Sequence, residues 1–293
     1  MGTFTEATAI ARDGTGYSAV IDPEWVIWGP FGGYLAAIAL RAMGVHTKQR
    51  RPVTFSCQYL NVGAAGAVRL DVETRKSGRR AECLRACMVQ AGKPLIEAQS
   101  WIVADDLAGL EHDHARMPQV QDPSGLPSWD GSGEGDESRS PIWRHIERRP
   151  TGRFKPDGDG SPTPQWSCWL RLSEALPDDD VVLQAARAVL WTDVAPWNAA
   201  LARHGWPTTH VAPTLDLTVQ FQPGLYARDT LQAEWLLAET ESPTAGAGLF
   251  GAHSMLWSKE GKLVAVGAAQ GLCVPNDRYE AQRSCARRPS RTT

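Results

Sequence analysis

Runs of alternating apolar and polar residues separated by turn residues cover most of this chain, and two stretches break the alternation with solid apolar character. Tyr17–Ile21 (YSAVI) alternates as a short strand. YLAAIALRAM, residues 34–43, is apolar nearly all round, which predicts a buried helix rather than a surface one. It follows the turn-rich Gly29-Pro30-Phe31-Gly32-Gly33. Strand patterns follow at 53–60 (VTFSCQYL), 67–78, 79–92 and 94–104, with Gly78 and Gly92-Lys93 between successive runs, so an antiparallel meander is expected. Residues 105–140 lose the pattern. They are rich in Gly, Ser, Asp and Pro, poor in groups that build a core, and read as a partly mobile linker.

From 141 the same order returns. Strand patterns at 142–150 and 165–172 lead to Asp178-Asp179-Asp180 and a second apolar helix over 181–193, whose acidic start complements the helix dipole. Asp193 is placed at the end of that helix, before Pro196. Further strands are expected at 214–221, 229–242, 248–258 and 262–273, and a disordered tail from 275. The chain thus repeats one unit: lead-in strand, buried helix, four antiparallel strands. Gly92-Lys93…Ala98-Gln99 corresponds to Gly261-Lys262…Ala269-Gln270. Flanking residues pair Pro52 with Pro213, whereas strand phase pairs Thr54 with Thr214, and the sequence leaves the two registers open. Each unit is α+β and must bury its helix against its own sheet. The expected organisation is an N-terminal repeat at 1–105, a linker at 106–140, a C-terminal repeat at 141–275 and a tail at 276–293.

Composition narrows the function. A length of 293 residues suits about two domains, and 42% apolar with 22% charged residues is ordinary for a globular protein. A net charge of −3 argues against a nucleic-acid partner, which would favour a basic face. No apolar run reaches membrane-spanning length and the N-terminus lacks a signal-peptide pattern, so a cytoplasmic protein with no membrane partner is expected. The six cysteines form no CxxC pair and read as reduced, buried apolar groups. His112 and His114 beside Glu111 and Asp113 read as a solvated charge run, and no metal or cofactor is expected. No GxSxG elbow, phosphate loop or dinucleotide fingerprint occurs. The 12 Trp residues, against 6 Phe and 5 Tyr, suggest a bulky apolar pocket.

The Trp ahead of GPFGGYLAAIALRAM, TLDLTVQF and EGKLVAVGAAQ together resemble the double-hotdog acyl-CoA thioesterases of the thioesterase II type. The resemblance spans 17–104 and 141–273. It implies two tandem hotdog repeats, each a long helix wrapped by a curved antiparallel sheet, and homo-oligomers formed by pairing or packing of those sheets. It further implies hydrolysis of an acyl-CoA by a water held on Asp193, Thr214 and Gln270. Between Gly261 and Gln270 the chain is one residue longer than the family pattern, and a bulge at Gly267 would keep Gln270 facing the site. Gly32 and Gly33 are expected to let the backbone approach an acyl or pantetheine group. Each residue has a plainer role open to it: Asp193 ending a helix, Thr214 sharing a solvent face with Asp216, the two glycines easing helix–sheet packing. Two other functions suit the same fold. A hydratase or dehydratase would need an Asp followed by a His ahead of the helix, and Asp22 has no such partner before Gly33. A non-catalytic acyl-CoA or lipid-binding protein is the other.

Overall fold

The computed structural model describes residues 2–129, 140–151, 163–204, 210–232 and 234–276. The first unit comprises a short capped helix, α1 (Phe4–Ala7), strands β1 (Ala11–Asp13) and β2 (Gly16–Ile21), the long helix α2 (Gly32–His46), and strands β3 (Arg51–Tyr59), β4 (Gly66–Ser77), β5 (Ala81–Gln90) and β6 (Lys93–Val103). The second comprises β7 (Ile146–Pro150), β8 (Gln165–Leu172), α3 (Val181–His204), β9 (His210–Val211), β10 (Thr214–Phe221), α4 (Arg228–Gln232), β11 (Leu236–Gly246), β12 (Leu249–Ser258), β13 (Leu263–Leu272) and β14 (Val274–Pro275).

Twelve strands form one antiparallel sheet in the order β1-β2-β4-β5-β6-β3-β10-β13-β12-β11-β8-β7. Its two halves, β2-β4-β5-β6-β3 and β8-β11-β12-β13-β10, have the same topology and meet where β3 pairs with β10. At that seam Cys57 lies opposite Leu217, Ser56 opposite Thr218 and Gln58 opposite Asp216. Helices α2 and α3 lie side by side on the inner face, each wrapped by its half of the sheet. From Gly33 to Met43 all but Arg41 are buried, as an all-apolar helix requires. This is an α+β hotdog architecture, present twice.

Three expectations change. Helix α3 does not stop at Asp193; it runs on through Pro196 to His204, leaving Asp193 mid-helix and buried. Proline removes only one backbone donor, and Val194, Ala195, Ala199 and Ala202 bury the turns beyond it, so tertiary packing outweighs the local break. Residues 228–232 are helical rather than extended, and the strand begins at Leu236. Lys262 Nζ bonds both carboxylate oxygens of Asp229, at 2.9 and 2.7 Å, anchoring that turn. Finally, Pro141–Arg144 is a 3-10 turn ahead of β7.

The described part of 106–140 is not wholly solvated. Met117, Val120 and Leu126 pack on Trp169, Leu237 and Trp257 against the outer face of the second half-sheet. Residues 130–139 and the tail from 277 lie outside the described residues. The described cysteines are free. Among the described residues no His/Cys/Asp/Glu cluster could hold a metal, and no helix is long and apolar enough to cross a membrane.

Candidate active site

The N-terminus of α2 is uncapped by its own sequence, because Phe31 at the cap position offers no side-chain acceptor. Orphan amides at a helix start must find partners elsewhere. Asp193, 160 residues away on α3, supplies one: its Oδ2 accepts from the Gly33 N–H at 2.6 Å. The positive end of the α2 dipole thus faces the carboxylate. Both glycines are there for space. A Cβ on Gly33 would meet the Asp193 Cβ at 2.9 Å and the Leu190 backbone at 3.1 Å; one on Gly32 would meet Asp193 Oδ2 at 2.9 Å. Only glycine lets the two helices approach this closely.

Thr214 reaches the same carboxylate, its Oγ1 donating to Asp193 Oδ1 at 3.2 Å. Simple alternation would put Thr214 outside with Asp216. Instead the pairing with β13 shifts between Thr214 and Asp216, so that Thr214 sits opposite Gly271 and Asp216 opposite Gln270. The bulge turns Thr214 inward and leaves Leu215 at the surface. Asp193 is only 8% exposed. Burial pushes its carboxyl up to about 6, while the Gly33 and Thr214 hydrogen bonds pull the other way. A carboxylate tuned to that range is a base near neutrality.

Gln270 does not join them. The extra residue of its hairpin is absorbed not at Gly267 but at Val264, where Leu256 pairs with Ala265 and Trp257 with Leu263. Ala265, Gly267, Ala269 and Gly271 then face inward, and Gln270 is exposed on the outer face between Asp216 and Gly251. It does not line the cleft described next.

A cleft of about 440 Å³ opens over Asp193 and Thr214. Its walls are largely aromatic: Trp28, Phe31, Trp129, Trp143, Trp197 and Phe250. Trp28, Leu60, Val62 and Leu215 form an exposed apolar rim. Arg148 enters the wall stacked between Trp129 and Trp143, its guanidinium carbon 4.3 and 3.9 Å from their ring centres. Tyr59, Asn61 and Asn198 add polar groups. Gly32 lines the cleft, whereas Gly33 acts behind it through Asp193. The Trp surplus is thus divided between this cleft and the core, where Trp25, Trp166 and Trp191 are fully buried. Sequence reasoning missed Tyr59. Its signal was the inward phase it shares with the buried Phe55 and Cys57, four and two residues before it.

Two fused hotdog units with a buried carboxylate at a helix N-terminus, beneath an apolar cleft, define the double-hotdog thioester-hydrolase class. Residues 21–103 match the model of the acyl-CoA thioesterase N-terminal domain and residues 113–273 that of the acyl-CoA thioesterase C-terminal domain. The chain belongs to the acyl-CoA thioesterase family. It is similar to human acyl-coenzyme A thioesterase 8, with 24% identity over 83% of this chain and 79% of that one. Its fold is similar to acyl-CoA thioesterase II TesB2 of Mycobacterium marinum, with a TM-score of 0.73 and 21% identity over 93% of this chain and 97% of that one. A hotdog protein of unknown function from Alicyclobacillus acidocaldarius gives 0.77 and 19% over 94% and 99%.

Proposed function

We propose that this protein hydrolyses acyl-CoA thioesters with a water activated by Asp193, whose carboxylate Thr214 holds in place. The observation that carries the reading is the Asp193 carboxylate, buried, held on both oxygens and placed under an apolar cleft. Asp193 takes a proton from the water as its oxygen attacks the thioester carbonyl carbon. The C–S bond of the resulting tetrahedral adduct then breaks, giving the free acid. The CoA thiolate leaves and takes up the proton from Asp193, which restores the carboxylate. General-base catalysis of this kind is worth about 10²–10⁴-fold. Thr214 fixes the base, a positioning role. Gln270 has no part in this reading.

The acyl group lies among the aromatic side chains of the cleft, with the apolar rim receiving the pantetheine end. No cofactor enters the reaction. The same reading takes the chain as two units, 1–105 and 141–275, joined through 106–140, and as a cytoplasmic homo-oligomer, whose stoichiometry light scattering would measure. Release of free CoA thiol across a panel of acyl-CoAs tests the function. Turnover on at least one of them, lost by a factor of about 10² or more in Asp193→Asn, is expected. Equal rates for wild type and variant on every substrate would refute it.

A further inference from the structure

Among the donors around Asp193, one on β3 has no task in the free protein. Developing negative charge on the thioester carbonyl oxygen needs a hydrogen-bond donor. The Gly33 N–H is engaged with Asp193 Oδ2, and the Thr214 hydroxyl with Oδ1. The Tyr59 hydroxyl, by contrast, is shut off from solvent with no partner of proper hydrogen-bond geometry; the Cys57 thiol beside it is only a weak acceptor. The Tyr59 ring lines the cleft. Its Cε1 and Cζ lie 3.1 and 3.2 Å from the point a Gly32 Cβ would occupy, and Asp193 Oδ2 lies 2.9 Å from that same point.

We propose that Tyr59 is a further catalytic residue, its hydroxyl donating a hydrogen bond to the carbonyl oxygen of the thioester as the tetrahedral adduct forms. The inference rests on the hydrolytic reading above. Three observations carry it. First, a buried hydroxyl with only a weak thiol acceptor beside it is unfavourable compared with Phe at the same place, so a structural role does not account for it. Second, burial and the nearby Asp193 charge both hold the phenol protonated far above neutral pH, so it is a donor whenever Asp193 is a base. Third, the ring that carries it lines the cleft beside the carboxylate, on a strand rather than a loop. Catalytic hydrogen bonds often close only when substrate arrives, which fits a donor idle in the free protein.

The test is Tyr59→Phe in the full chain, assayed for CoA release on the best acyl-CoA of the panel together with thermal unfolding. The expected result is a fall in kcat of about 10²-fold with KM within about threefold of wild type. The acid limb of the pH profile stays in place and the melting temperature is unchanged or higher. A kcat within twofold of wild type overturns the proposal, as does a rise in KM at unchanged kcat, which would make the hydroxyl a binding contact only. A displaced acid limb also overturns it, since the hydroxyl would then be acting through Asp193. Should the wild type hydrolyse no acyl-CoA, the hydrolytic reading itself falls, and this inference with it.

Discussion

Asp193→Asn should cost the protein its turnover and give it stability, and the size of the gain follows from burial. A free aspartate carboxyl titrates near 3.9, whereas Asp193 in its buried place titrates at about 6. Below about pH 4 the group is protonated in both folded and unfolded chains and contributes nothing. Between about pH 4 and pH 6 the unfolded chain has released the proton while the folded one still holds it, so raising the pH favours unfolding. Above pH 6 the accumulated loss is about 3 kcal/mol. Asparagine keeps the shape and an acceptor for the Gly33 N–H but cannot ionise. The difference in stability between Asp193→Asn and wild type should therefore grow in favour of the variant by about 3 kcal/mol from pH 4 to pH 7, or roughly 5 °C in melting temperature. Thermal unfolding of both proteins across that range measures it. A flat difference, or one that turns toward wild type as pH rises, would show that the Gly33 amide and helix dipole outweigh desolvation, and Asp193 would not be a base tuned by burial.

The same titration predicts that kcat/KM falls as pH drops below about 6, since the protonated acid cannot accept a proton from water; a pH–rate profile checks this. Thr214→Val removes the bond to Asp193 Oδ1 and should lower kcat about tenfold while moving that acid limb to higher pH, read from the same profile. Gly33→Ala forces a methyl against Leu190 and Asp193 and should destabilise by about 1–3 kcal/mol in urea unfolding. Gln270→Ala, on the outer face, should leave kcat within twofold of wild type; a hundredfold loss would place its amide in the reaction.

What the sequence disclosed and what it hid divide along physical lines. Buried helices and alternating strands are local patterns, and Tyr34–Met43 or Leu217, Val219 and Phe221 are legible without any partner. The duplication is legible too, because two copies of one pattern repeat its errors as well as its signals. Bulges are not local. Whether Thr214 turns inward, or Val264 absorbs the extra residue of its hairpin, depends on the strand alongside, so Gln270 came out on the opposite face from the one the resemblance implied. The reach of α3 past Pro196 was hidden for a like reason: propensity stops the helix, and the packing that continues it is tertiary. The resemblance pointed to Asp193, but what its carboxylate does at the start of α2 follows from an approach between residues 160 positions apart. Tyr59 was within reach of strand phase alone.

In the proposed reaction Asp193 activates water rather than attacking the thioester itself. A single turnover in H₂¹⁸O, with enzyme in excess over acyl-CoA, tests this. Mass spectrometry should find one ¹⁸O in the released acid and none in the peptide carrying Asp193. Label in the Asp193 carboxylate would mean a covalent acyl-aspartate had formed and been hydrolysed, and would rule out a general-base role for Asp193.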